Sequence, residues 1–392
     1  MSDYKYIIVG GGMTSDSAVK GIKEYDSNGT IAIFSEEKSL PYNRPPLSKG
    51  LWKGEKIESI WRKTDEHKTD FFPSTRITSA DPSGKSVKAA DGQSYTYEKL
   101  LLATGGATRR FPFGGDEVIY FRTYEDYSKL RTASEKTREF IVVGGGFIGS
   151  EITAALAMNG AKVTMILPEE GIGGKVYPKG LSSYLVKYYS EKGVEVRAGE
   201  AVVSIDRKGS AYAVGTKSGT VYSAGCVVAG LGITPNDSLV KSAGLATDNG
   251  IIVDHYLRTT NRDIFAAGDV ANFYSSALDK RVRVEHEDNA NTMGTIAGHN
   301  MTGKEEKYDY LPFFYSDLFD LGYEAVGELD SRLETYEYWI EQYRKGVVYY
   351  LADGLVKGVL LWNTWGKVEE ARELINSKKT LTKDSLKGKI KD

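Results

Sequence analysis

Two glycine-rich stretches have the residue types and spacing that hold a dinucleotide. They are Gly10-Gly11-Gly12-Met13-Thr14-Ser15 and Gly144-Gly145-Gly146-Phe147-Ile148-Gly149-Ser150-Glu151. The first directly follows Tyr6-Ile7-Ile8-Val9, the second Phe140-Ile141-Val142-Val143. In such a strand–loop–helix turn, one glycine makes the tight turn and the next admits a pyrophosphate to the backbone. A third small residue lets helix pack on strand, and the helix N-terminus attracts the phosphate charge. Two loops in one chain imply two dinucleotides held face to face, as hydride transfer from nicotinamide to flavin needs.

Each loop must be carried by a β-α-β unit. The first reads as strand 4–9, a helix from about 14 to 26, and strand Thr30–Ser35. Glu36 follows, 26 positions after Gly10. A carboxylate there can accept hydrogen bonds from a ribose diol, although the usual spacing is about 20. An ordinary strand-end glutamate is the alternative. The second unit reads as strand 140–143, helix 148–158 and strand Lys162–Leu167. Leu167 takes the usual ribose-reading position and Glu169 follows two residues on. A carboxylate there favours the 2′-hydroxyl of NADH over the 2′-phosphate of NADPH. Lys175 nearby leaves NADPH open.

Other stretches add candidate contacts. In Pro41-Tyr42-Asn43-Arg44-Pro45-Pro46-Leu47-Ser48-Lys49 the paired prolines are expected to hold the preceding residues extended. That stiff segment can aim Arg44 at a phosphate or adenine and Lys49 at a flavin ring. Short strands with turns are expected over 70–100. Lys99 to Gly105 reads as a buried strand ending in the small-residue turn Ala103-Thr104-Gly105, which permits close approach of a cofactor. Phe265-Ala266-Ala267-Gly268-Asp269 is another buried strand. Its terminal Asp269 can accept from the ribityl chain of FAD or act as a helix N-cap. Beyond about 310 the chain alternates as antiparallel strands, with a helix over Val368–Asn376. The tail from Ser377 to Asp392, with its lysines, reads as a solvated, frayed end.

Composition bounds the function. A chain of 392 residues is long for one core, so two or three domains are expected. Its formal net charge of -2 gives no reason to expect nucleic acid. No apolar run reaches the roughly 18 residues of a membrane span. The first strand begins within about five residues of the start, so neither a signal nor a transit peptide is expected, and a cytoplasmic location fits. Cys226 is the only cysteine, which excludes an internal disulfide and any dithiol relay. It reads as a small core residue. No metal site is expected.

Together these motifs resemble the FAD-dependent pyridine-nucleotide reductases. Within them the chain is similar to the group containing apoptosis-inducing factor and the oxygenase-coupled ferredoxin reductases. The resemblance runs from about residue 5 to 376. It rests on Pro41 to Lys49, Gly144 to Glu151, Phe265 to Asp269 and Val284-Glu285-His286. Leu167-Pro168-Glu169 and Tyr323-Glu324-Ala325-Val326-Gly327 lean toward the apoptosis-inducing-factor branch.

By that similarity Gly10, Gly12, Ser15, Glu36, Arg44, Lys49, Ala103, Thr104, Gly105 and Asp269 would hold FAD. Ile77 and Arg122 match further FAD contacts, and His286 and Glu287 would lie near the isoalloxazine. Gly145, Gly146, Phe147, Ile148, Glu169, Lys175 and Gly232 would hold NADH, with Glu324 and Asn363 on the nicotinamide side. Glu151 would sit where nicotinamide meets flavin, paired with Lys49. Ser15 replaces the third glycine of the first loop. Tyr315 stands where many members carry a tryptophan, and no reactive cysteine lies between Ser39 and Pro46.

The expected fold is α/β: two Rossmann-like dinucleotide-binding domains and a C-terminal α+β domain. The FAD domain would comprise 1–113 and 250–309, the NAD(P)H domain 114–249, and the C-terminal domain 310–392. The expected activity is hydride transfer from NADH to FAD, with Lys49, Glu151, His286 and Tyr315 at the reacting centre. Electrons would pass to an external acceptor: a ferredoxin, rubredoxin, quinone or dioxygen. The alternative is a redox sensor, in which slow flavin reduction recruits a partner or a second subunit to form a homodimer.

Overall fold

The computed structural model describes residues 2–390. The chain folds into two compact units. One comprises residues up to 43, 57–107 and 234–312, and the other 44–56, 108–233 and 313 onward. The second unit therefore holds the second glycine loop, the C-terminal region and the segment around Lys49.

In the first unit, strands Asp70–Phe72, Ile31–Phe34, Ser2–Val9, Ser94–Leu102 and Ile264–Ala266 lie parallel in that spatial order. The outer edge of Ser94–Leu102 is shared. Residues 94–96 pair antiparallel with 86–88, and 100–102 pair parallel with 264–266. Ile7, Ile8, Ile33, Leu100 and Leu101 are all buried, as expected of a parallel sheet covered on both faces. Helix Met13–Tyr25 packs on helix Glu287–Met301. Glycines set their closeness: a Cβ at Gly21 would lie 2.4 Å from the Thr295 carbonyl oxygen, and one at Gly298 2.3 Å from that of Ala18.

The second unit has a wholly parallel sheet in the order Glu195–Ala198, Lys162–Leu167, Glu139–Val143, Cys226–Ala229, Ile119–Tyr120. Beyond it a five-stranded antiparallel sheet runs in the order 313–318, 321–327, 355–362, 345–352, 334–341. Helix Val368–Asn376 packs on two of these strands through Ala371, Leu374 and Ile375.

The two parallel sheets repeat one local design. Gly10 N–H donates to the Phe34 carbonyl and Gly144 N–H to that of Ile166, both at 2.8 Å. Ala103 N–H donates to Val9 at 2.8 Å and Gly230 N–H to Val143 at 2.9 Å. Each glycine loop is thus pinned between two strand ends.

Two expectations are corrected. Arg44 is not extended: its φ of -79° and ψ of -36° are helical, and Pro45–Ser48 forms a 3-10 turn. Proline at the first helical position fits that turn, whose Leu47 N–H donates to the Arg44 carbonyl at 3.0 Å. The Arg44 guanidinium donates to the Arg122 carbonyl at 3.0 Å. These bonds outweigh the bias against helix before proline. Nor does the tail fray. Leu386 and Ile390 are buried, Ile390 N–H donates to the Tyr349 hydroxyl, and Leu381 N–H to the Gly354 carbonyl. The expectation for Lys391 and Asp392 lies outside the described residues. Among the described residues no helix is long and apolar enough to cross a membrane.

Candidate active site

Both glycine loops end in an uncapped helix. Gly12 precedes helix Met13–Tyr25 and Gly146 precedes helix Phe147–Met158, and neither helix has a side-chain N-cap bond. A Cβ added at Gly12 or Gly146 would meet nothing within 4 Å, so both helix N-termini open onto space. Open N–H groups at a helix N-terminus fit a pyrophosphate. Gly10 and Gly144 have φ of +122° and +108°, and a Cβ at either would strike the Ala103 or Gly230 carbonyl oxygen. These positions require glycine for both conformation and space.

In the first unit the expected FAD residues Ser15 and Ala103 touch the first loop, while Arg44, Lys49 and Arg122 belong to the second unit. The Ser15 hydroxyl donates to the Gly10 carbonyl at 2.5 Å. Gly268, just before Asp269, abuts Thr14: a Cβ there would lie 2.3 Å from the Thr14 hydroxyl. The Ala103-Thr104-Gly105 turn is zipped to Asn236. The Thr104 hydroxyl donates to the Asn236 carbonyl at 2.8 Å, and the Asn236 amide donates back to the Thr104 carbonyl at 2.9 Å. Glu36 is 70% exposed and lies 3.4 Å from Arg76, next to Ile77. His286 stands at the N-cap of helix Glu287–Met301, with Glu287 in its first turn. Beneath the first helix, Asp16 is fully buried against Arg62, Lys20 and Thr64 at 2.7, 2.8 and 2.7 Å.

In the second unit the centre of charge is Glu151, one turn into the helix that follows the second loop and only 3% exposed. Its Oε1 accepts from Lys49 Nζ at 2.8 Å and from the Ser316 hydroxyl at 2.6 Å. Its Oε2 accepts from the Ser48 hydroxyl at 2.5 Å. Lys49 Nζ also lies 5.3 Å from the centre of the Tyr315 ring, which is 37% exposed. The Phe147 ring meets Phe314, whose neighbour is Tyr315. Tyr315 pairs in register with Glu324, whose carboxylate accepts from Gly366 N–H. Lys49, Phe147, Glu151, Tyr315 and Glu324 therefore share one neighbourhood.

Segment 44–56 is held in this unit at several points besides Glu151. The Asn159 amide donates to the Trp52 carbonyl, and Lys53 pairs with Asp317 at 3.0 Å. Burial is the main cause that pushes the Tyr189 and Tyr323 hydroxyls well above the usual range, with the Glu151 charge adding to it. They remain neutral phenols. Burial likewise pushes the Cys226 thiol up to about 12, leaving it a poor nucleophile.

On the outer part of the second loop, Ile148 is 37% exposed and Glu169 pairs with Lys175 at 2.9 Å. Gly173 N–H donates to the Gly145 carbonyl at 2.8 Å, and Ser331 holds Gly174 and Lys175 through their carbonyls. Gly232 has φ of +79° and accepts from Arg109 N–H. Asn363 differs from the rest: its amide is used in bonds to Gly322 N–H and the Arg344 carbonyl. Sequence reasoning missed Ser48, Ser316, Asn236 and Ser331. For the first two a signal existed, since each adjoins an expected site residue. Among the described residues no group of three or more acidic, histidine or cysteine side chains is placed to hold a metal.

Comparison with known proteins places this geometry. Residues 4–294 match the family described as pyridine nucleotide-disulphide oxidoreductase. Residues 297–342 and 337–377 match the C-terminal region of mitochondrion-associated apoptosis-inducing factor. The chain is 33% identical to apoptosis-inducing factor 1, mitochondrial, of Dictyostelium discoideum, over 97% of this chain and 80% of that protein. It is 31% identical to the ferredoxin–NAD(+) reductase component of 3-phenylpropionate/cinnamic acid dioxygenase of Photorhabdus laumondii subsp. laumondii, over 96% and 97%. The crystal structure of the covalent putidaredoxin reductase–putidaredoxin complex aligns with a TM-score of 0.91 at 26% identity, over 98% of this chain and 96% of that one.

Proposed function

Since the chain belongs to the pyridine nucleotide-disulphide oxidoreductase family and is an FAD-dependent NAD(P)H reductase, we propose that it oxidises NADH at FAD and passes electrons to an external one-electron carrier. The observation that carries this reading is the Lys49–Glu151 pair, buried one turn beyond an open dinucleotide loop. When bound, FAD supplies the electron sink that no side chain here provides.

The residues do the positioning. The open N-termini at Gly12 and Gly146 would each take a pyrophosphate. Asp269, Arg44 and Glu36 would orient the rest of FAD, with Thr104 and Gly105 giving it close backbone approach. Glu169 would accept from the ribose 2′-hydroxyl of NADH. Its pairing with Lys175 at 2.9 Å leaves that lysine partly engaged, which favours NADH over NADPH. Lys49 would present positive charge to the flavin, moderated by Glu151. The single cysteine is buried, so electrons would leave without a dithiol. The relative from Photorhabdus reduces or oxidises a ferredoxin by its name, and a ferredoxin or rubredoxin is the acceptor we favour over a quinone or dioxygen.

A second reading rests on the match of residues 297–377 to apoptosis-inducing factor: an NADH sensor that acts through slow reduction and recruitment of a partner or second copy. Anaerobic stopped-flow reduction by NADH and by NADPH, followed at the flavin bands, separates the two. Fast bleaching with NADH and quick reoxidation by a ferredoxin or rubredoxin, and not by a quinone, is expected. Slow reduction with a persistent long-wavelength band would favour the sensor. Absence of flavin absorbance after adding FAD would overturn both.

A further inference from the structure

Three stretches of the second unit meet at the Glu151 carboxylate. Helix Phe147–Met158 supplies the carboxylate itself, the Pro45–Ser48 turn with Lys49 supplies two donors, and strand Phe313–Leu318 supplies the third. Ser48 adjoins Lys49 in sequence and moves with it. Ser316 is separate, so it restrains the pair independently. It is 1% exposed, and strand alternation turns it inward while Tyr315 faces out beside Lys49. Adjacent residues of one strand thus touch both members of the ion pair.

We propose that Ser316 is a positioning residue: by sharing Glu151 Oε1 with Lys49, it sets how far the ammonium charge is neutralised and hence the electron affinity of the flavin. This rests on the reading of Lys49 as the flavin-side cation.

A carboxylate oxygen that accepts from a hydroxyl has part of its charge offset. With Ser316 on Oε1 at 2.6 Å, Glu151 draws less on Lys49, which keeps more of its field. Without that hydroxyl, Lys49 becomes the single donor to Oε1 and is more fully neutralised. Reduction adds negative charge to a flavin, so a weaker cation beside it disfavours the reduced form. Removal of the Ser316 hydroxyl should therefore lower the flavin midpoint potential.

The test is a double-mutant cycle read as midpoint potential, by equilibrium photoreduction against a reference dye. The proteins are the parent, Ser316→Ala, Lys49→Met and the double variant, all as FAD holoproteins. Ser316→Ala should shift the potential negative in the parent and leave it unmoved in the Lys49→Met background. Ser316→Thr, which keeps the hydroxyl, should hold the parent value. The limiting rate of reduction by NADH should fall about tenfold in Ser316→Ala, the scale of one lost hydrogen bond to a charged group. Should Ser316→Ala not fold, Ser316→Cys, with its weak donor, takes its place in the same cycle. Equal shifts in both backgrounds, or none in either, would reject the positioning role while leaving an NADH-reducible flavoprotein intact. A protein that binds no flavin would reject the functional reading and this inference together.

Discussion

The Ser15 hydroxyl donates to the Gly10 carbonyl at 2.5 Å, closing the first loop on its first glycine, whereas in the second loop the side chain that reaches back is Ser150, to the Gly146 carbonyl at 2.8 Å. At the matching place in the second loop, a Cβ on Gly149 would lie 2.0 Å from the Gly144 carbonyl oxygen. The two positions should therefore respond differently. Ser15→Ala loses one hydrogen bond, about 1 kcal/mol, and should keep FAD. Gly149→Ser overpacks the second loop at a cost of about 1–3 kcal/mol. It should keep the flavin spectrum but slow reduction by NADH in stopped flow. Normal reduction of Gly149→Ser would remove the second loop from the nicotinamide site.

Asp16 gives the first unit a stability that depends on acid. Burial alone would raise its carboxyl, but Lys20, Thr64 and Arg62 outweigh burial and leave it lowered. A carboxyl lowered on folding stabilises the native state above its unfolded value of about 3.9. That contribution is lost as pH falls through the folded value. Urea unfolding midpoints should therefore drop between pH 5 and the acid limit more steeply in the parent than in Asp16→Asn. At pH 7 Asp16→Asn should be less stable by about 3–5 kcal/mol, because Arg62 and Lys20 lose a buried partner. Identical pH profiles for the two proteins would refute the assignment.

Much of the scaffold was legible because its signals are local. Tyr6 to Val9 and Phe140 to Val143 are short apolar runs followed by glycines, and the structure makes both into central parallel strands. Glu151 and Lys49 were paired in advance by resemblance, and they meet at 2.8 Å. What sequence could not show depends on contacts distant along the chain. Arg44 turns helical because its side chain finds the Arg122 carbonyl. Ser316 looks like any strand serine until the fold brings it to a carboxylate 165 positions away. The lysines of the tail dominate its composition, while Leu386 and Ile390, spaced among them, decide that it docks.

Lys49→Ala leaves the Glu151 carboxylate buried with two hydroxyl donors and no countercharge. Removing one partner of a buried pair costs about 3–5 kcal/mol, so the melting temperature should fall even in the FAD-free protein. Glu151→Gln together with Lys49→Met removes both charges and should recover part of that loss. FAD should still bind to each variant, but reduction by NADH should slow in Lys49→Ala. Reduction kinetics equal to the parent would take Lys49 out of the active site, whatever the melt shows.

The C-terminal segment should behave as part of the second unit's core. Leu386 and Ile390 are buried, and Tyr349, which accepts from Ile390 N–H, is fully covered on strand Lys345–Ala352. Leu386→Ala should cost about 2–5 kcal/mol, as for other buried leucines. The lysines at 378, 379 and 387 are exposed, and changing them to glutamine should alter stability by less than about 0.5 kcal/mol. Thermal melts of the two sets of variants make the comparison. A Leu386→Ala protein that melts with the parent would mean the segment is dispensable to the fold. A large loss from the glutamine variant would mean that charge, and not the two apolar anchors, holds the segment down.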